Sequence, residues 1–133
     1  MSRENIEVIR AVYDAWMRGD YGGMFKHFHP DIEWAGPATL SQGGSSRGIR
    51  GARRSMSTWI GTWDNYRLEL TELTDHGDAV FAAGRQHGRG RGSGVQVSEE
   101  IFSVWTLRDG LVVRRETFRD REQAREAAGM WAR

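Results

Sequence analysis

Apolar residues recur along the first stretch of the chain at helical spacing: Ile6, Ile9, Val12, Tyr13, Trp16 and Met17. That period predicts an amphipathic helix, which Arg18-Gly19-Asp20 stops. Met24, Phe25 and Phe28 form the apolar side of a short second helix ended by His29-Pro30, and Ile32-Glu33-Trp34 reads as a brief strand. Residues 35–50, with Gly43-Gly44-Ser45-Ser46, read as a loop. A third helix is expected from Gly51 to Trp63, with Met56, Trp59, Ile60 and Trp63 on one side.

From there the period changes to two. Tyr66–Leu73, Ala79–His87, Val95–Leu107 and Val112–Phe118 read as four strands in a meander. Asp75-His76-Gly77-Asp78 marks one turn, and Asp109-Gly110 is a tight-hairpin signal. Asp120 is placed to cap a last helix running through Met130. Helices grouped ahead of an antiparallel sheet mean an α+β fold. A sheet curved around those helices would form a cone with one apolar pocket. No repeat or linker divides residues 1–133, so a single domain is expected.

Composition narrows the function more than the fold. The 19 cations and 18 anions leave a net charge of +1, without the basic excess that nucleic acids or membrane surfaces demand. The string His87-Gly88-Arg89-Gly90-Arg91-Gly92-Ser93-Gly94 has too few cations and no aromatic, so it reads as a glycine-rich strand connection. With no cysteine, thiol catalysis and disulfides are excluded. His27 and His29 lack a third ligand at matched spacing, and no phosphate-binding loop is present, so neither metal nor cofactor is expected. No apolar run approaches the roughly 20 residues of a membrane span, and no apolar leader is evident, which gives a cytoplasmic location as the expectation. Six tryptophans are many for this length, and indoles are costly unless buried with the N–H partnered.

Several strings together resemble the SnoaL-like branch of the NTF2-like superfamily. They are His29-Pro30-Asp31-Ile32-Glu33-Trp34, Arg47-Gly48-Ile49-Arg50-Gly51, Trp63-Asp64-Asn65-Tyr66-Arg67-Leu68-Glu69, and the glycine-rich Gly88–Gly94. Glu116-Thr117-Phe118-Arg119-Asp120-Arg121-Glu122-Gln123-Ala124 and Ala127-Ala128-Gly129 complete the set. The resemblance implies an NTF2-like cone: a curved antiparallel sheet wrapped around N-terminal helices, with a C-terminal helix. It also implies a homodimer formed through the outer face of the sheet. The superfamily includes ketosteroid isomerases, polyketide cyclases and limonene-epoxide hydrolases, among which fold alone does not choose.

The isomerase pattern places an acid before a proline, where this chain has Gly36-Pro37, and Tyr13 falls one position from that pattern's tyrosine. A steroid isomerase is therefore not expected. The hydrolase pattern Arg-Asp-Tyr-Phe aligns with Arg115-Glu116-Thr117-Phe118, which puts Glu116 at that family's acid position. Counting back from the Asp109-Gly110 turn pairs Leu107 with Val112, Trp105 with Arg114, Ser103 with Glu116, and Ile101 with Phe118. One face would then mix apolar groups with an acid, an arginine and a hydroxyl, as a ligand pocket does. The other face carries Phe102, Val104, Val113, Arg115 and Thr117. An inverted assignment would make Glu116 a solvent-side ion pair.

The expected catalytic set is Glu116 as the proton-transferring carboxylate, with Arg114, Arg85 and His87. His87 stands where the hydrolase pattern has a second acid, and Ser103 where relatives often show histidine. The expected ligand-lining set is Tyr13, Trp16, Trp34, Ser103, Trp105 and Phe118. Two functions follow: a SnoaL-like isomerase or cyclase acting on a small, hydrophobic, ring-bearing molecule, or a non-catalytic ligand-binding or dimer-forming module. An epoxide-hydrolase-like enzyme is a further alternative.

Overall fold

Helix α1 (Ser2–Met17) buries Ile9, Val12, Tyr13, Ala15 and Trp16, as its period dictates. It ends in a Schellman motif: Gly19 (φ 77°) donates its N–H to Trp16 and Asp20 donates to Ala15. The Asp20 carboxylate then accepts from the Gly23 amide and starts α2 (Tyr21–Phe25). The computed structural model describes residues 2–36 and 44–131; Pro37 and Gly43, of the loop expected over 35–50, lie outside them.

The remaining elements are β1 (Phe28–Gly36), β2 (Gly44–Arg47), α3 (Gly48–Ile60), β3 (Trp63–Asp75), β4 (Ala79–Gly90), β5 (Gln96–Arg108), β6 (Leu111–Phe118) and α4 (Arg121–Trp131). Several boundaries depart from the sequence reading, and β4 runs on to Gly90 through the start of the expected glycine-rich connection. Phe28 opens β1 instead of closing α2, because its ring packs on Phe25, Trp34 and Trp105 inside the sheet. Residues 44–47 pair with β1 as a short strand, and Gly48 (φ 88°) turns directly into α3. Trp63 belongs to β3, and its indole lies on Gly88, where a Cβ would come within 2.6 Å of the ring.

The strand order is β2-β1-β6-β5-β4-β3 in one curved, unclosed sheet. All neighbours are antiparallel except β1 and β6, which run parallel, so the expected all-antiparallel sheet is mixed. The inner face packs on α1 and α3 through Leu68, Val80, Ala82, Ile101, Trp105, Leu107 and Val112. On the outer face, Ala124 and Ala128 of α4 cover Phe81, Phe102 and Val104. Asp120 caps α4 by accepting from the Glu122 amide at 2.9 Å.

The β5–β6 hairpin decides which side chains enter the cone. Asp109 (φ 53°) and Gly110 (φ 80°) make the two-residue turn with both residues left-handed, and Leu107 faces Val112 as the turn requires. Beyond that pair the register shifts: Thr106 faces Arg114, which leaves Val113 as an extra residue. A bulge of one residue sends every later side chain to the opposite face. Trp105 therefore faces Arg115 instead of Arg114, Ser103 faces Thr117 instead of Glu116, and Phe118 pairs with Phe102 instead of Ile101.

Candidate functional site

The inner face gathers an aromatic and polar cluster at the junction of α1, β1, β5 and β6. Tyr13 stacks on Trp16 with centroids 5.6 Å apart, and its hydroxyl accepts a hydrogen bond from Trp105 Nε1 at 3.1 Å. Trp34 meets Trp105 edge-on at 6.0 Å. Into this group the bulge delivers Arg115, which is 1% exposed. Its guanidinium carbon lies 4.5 Å from the Trp34 ring centroid, 5.4 Å from Trp105 and 5.6 Å from Trp16. Nη2 donates to Ser103 Oγ at 3.1 Å, and Thr117 is buried on the same face.

The electrostatics of this cluster are unusual because only donors are left over. Arg115 Nε and Nη1 and Trp34 Nε1 are buried without a hydrogen-bond partner, whereas Trp16 Nε1 has the Tyr66 hydroxyl beside it. Among the described residues no carboxylate is buried. Burial pushes the Arg115 guanidinium down to about 10, so it remains a cation at neutral pH. Burial also pushes the Tyr13 phenol above its ordinary range, against the opposing pull of Arg115. An arrangement of donors without acceptors suits a bound oxygen that carries or develops negative charge.

Next to the cluster, a second network holds α3 against the sheet. Gln86 Oε1 accepts from Trp59 Nε1 at 2.6 Å and from the Tyr66 hydroxyl at 2.8 Å. Tyr66 also lines a cavity of about 550 Å³ that opens among α2, α3 and β3, with Phe25, Met56 and Trp63 as apolar walls. Burial raises the Tyr66 phenol, and Arg115 opposes that rise, which places the cavity wall within electrostatic reach of the buried cation.

The expected residues divide between the two faces. Tyr13, Trp16, Trp34, Ser103 and Trp105 come together on the inner face. Glu116, Arg114 and Phe118 do not join them, because the bulge turns them outward. Arg114 bridges Glu33 Oε2 at 2.6 Å and Glu116 Oε1 at 2.8 Å, as a partly exposed triad across β1 and β6. Phe118 packs with the outer cluster under α4. Arg85 and His87 share a face as expected, but it is the outer one: Arg85 reaches Ser98 and Glu100, and His87 Nε2 lies 3.1 Å from Glu69 Oε1. Arg115, Thr117, Gln86 and Tyr66 escaped the sequence reading as site residues. Regular alternation sets Arg115 and Thr117 on the face with Phe102 and Val104, and the bulge carries them instead to Trp105 and Ser103. No group of three or more His, Cys, Asp or Glu among the described residues is placed to hold a metal ion.

Comparison with known proteins places this architecture. An NTF2-like protein from Burkholderia thailandensis superposes with a TM-score of 0.82 at 30% identity, covering 91% of this chain and 96% of that one. TerC, co-crystallized with polyporic acid, superposes with a TM-score of 0.77 at 27% identity over 96% and 98% of the two chains. A protein assigned as a SnoaL-like polyketide cyclase from a Jannaschia species shares the fold at 20% identity, with a TM-score of 0.78 over 96% and 93%. No curated protein matches the chain. Residues 9–115 match the model of the SnoaL-like domain. The chain therefore belongs to the SnoaL-like family, with the NTF2-like fold.

Proposed function

We propose that this protein binds a small, ring-bearing, oxygenated organic molecule inside the cone and polarises one of its oxygens. The observation that carries the reading is the cluster of unmet donors on Arg115 and Trp34, enclosed by indole rings that can stack on a flat ligand. Tyr66, which faces Arg115, also lines a cavity large enough for such a ring. TerC, a relative of similar fold, was co-crystallized with an acid, which agrees with a ligand that presents oxygen acceptors. In a SnoaL-like isomerase or cyclase the same donors would stabilise an enolate formed next to a carbonyl.

The proton-accepting carboxylate expected at Glu116 faces away from this cluster, so the reading rests on oxygen polarisation and assigns no base. Thermal shift against aromatic polyketide-like ketones, quinones, steroids and terpene epoxides tests binding, since ligand at about 100 times its Kd stabilises by about 2.7 kcal/mol. A shift for the ketones or quinones that Trp34→Ala abolishes supports the reading; no shift across the panel overturns it. Deuterium exchange at the carbon next to the ligand carbonyl, followed by NMR, then separates enolisation from binding alone. The homodimer suggested by the family resemblance belongs to the same proposal, and light scattering tests it.

A further inference from the structure

The donor cluster also defines which charge its ligand carries. We propose that the molecule received in the cone is an organic anion, an aromatic carboxylate or ionised enol, whose negative charge is the missing counter-ion of Arg115. This rests on the proposed cone-binding reading and deepens it.

A cation that is 1% exposed needs compensation, since an isolated buried charge is among the costliest features of a protein interior. Three sources are present, and none completes it. The indole faces of Trp16, Trp34 and Trp105 attract the guanidinium through its flat surface. Ring faces do not satisfy the N–H groups in the guanidinium plane, and Nε and Nη1 have no partner. Ser103 takes one hydrogen bond as a neutral hydroxyl. The phenols facing Arg115 are Tyr13 and Tyr66, both pushed upward by burial and therefore neutral at pH 7. Glu116 and Glu33 are held by Arg114 on the other face.

The adjoining cavity points the same way. Two of its lining residues are Arg53 and Arg91, and none is acidic. Arg53 lies over the Phe25 ring at 4.8 Å, and Arg91 is held by Asp64 at 3.2 Å. A cavity whose lining holds two cations and no acid, with the Tyr66 that faces Arg115 in its wall, favours an anion over a neutral or cationic molecule. The aromatic walls select a flat ring to carry that charge.

The test compares 2-naphthoate with methyl 2-naphthoate, which keeps the ring and removes the charge, by calorimetric titration at pH 7. The unmodified protein is expected to bind the acid at least roughly tenfold more tightly than the ester, as a charge-assisted contact requires. Arg115→Met, which replaces a buried ion by an apolar chain and is expected to fold, should retain ester binding and lose the preference for the acid. Equal affinities in the unmodified protein overturn the anion inference while leaving the cone-binding reading intact. Retention of the acid preference in Arg115→Met also overturns it, by placing the anion elsewhere. If neither compound binds, the inference falls, and the wider ligand panel then decides the cone-binding reading separately. Should Arg115→Met fail to fold, the acid-to-ester ratio of the unmodified protein decides alone.

Discussion

Arg115 lies directly opposite Trp105 across the β5–β6 ladder, with its guanidinium carbon 5.4 Å from that indole. The regular register of the same hairpin would put Arg114 there. One extra residue, Val113, exchanges which of two adjacent arginines enters the cone and which acid stays outside it.

Because Val113 is the unpaired residue of the bulge, deleting it should leave the later pairs in place, with Thr106 opposite Arg114 and Trp105 opposite Arg115. Arg115 would stay among the indoles and Glu116 on the other face, in a hairpin that no longer needs a bulge. A loss of about 1–3 kcal/mol, with cooperative unfolding retained, is expected in urea titration, and a larger loss would mean that the later pairs had slipped. Val113→Ala keeps the bulge and should cost about 1 kcal/mol or less, since Val113 is only partly buried.

Glu116→Gln is expected to change stability by less than about 1 kcal/mol, because Arg114 keeps Glu33 at 2.6 Å and the pair is partly exposed. Ligand affinity should be unchanged. A strong loss of binding or turnover with intact folding would mean that Glu116 reaches the ligand after all.

Gln86→Leu should destabilise by about 2–3 kcal/mol, since it removes the single oxygen that accepts from both Trp59 and Tyr66. Denaturant titration of the double variant Gln86→Leu, Tyr66→Phe should recover part of that loss, because one orphaned donor is gone. Strict additivity of the two changes would argue against a shared network.

The pH dependence follows from Glu72. The Arg121 hydrogen bond, helped by Thr74 and Arg125, holds its carboxyl below the ordinary value of 4.5. A carboxyl depressed in the folded state contributes stability above its unfolded pKa and loses it as pH falls through the folded one. The Tm of Glu72→Gln should lie below that of the unmodified protein at pH 7, by the equivalent of about 1 kcal/mol. The two curves should converge as the pH drops below 4.5. Curves that stay parallel would contradict this linkage.

Local chemistry made much of the architecture legible. The period of α1 identified its buried face, Asp109-Gly110 gave the hairpin with both residues at positive φ, and Asp120 capped α4. The same alternation brought Tyr13, Trp16, Trp34, Ser103 and Trp105 to one side. The bulge was hidden because Val112-Val113 carries no glycine or other mark of irregular pairing; the register follows from packing Val112 and Arg115 inward at once. Phe28 has helical spacing relative to Met24 and Phe25, yet aromatic packing against Trp34 and Trp105 outweighs it. The parallel pairing of β1 with β6 joins distant parts of the chain, and no local pattern announces such a contact.

That parallel pairing has a kinetic consequence. Trp34 in β1 sits beside Arg115 in β6, and most of the chain must be made between the two. At ordinary synthesis rates the interval is on the order of 4–16 s. Until β6 emerges, Phe28, Ile32 and Trp34 lack the strand they pack beside, and closing so long a loop is slow once it does. The aromatic wall is thus assembled late, and the nascent chain carries it unpaired through most of its synthesis.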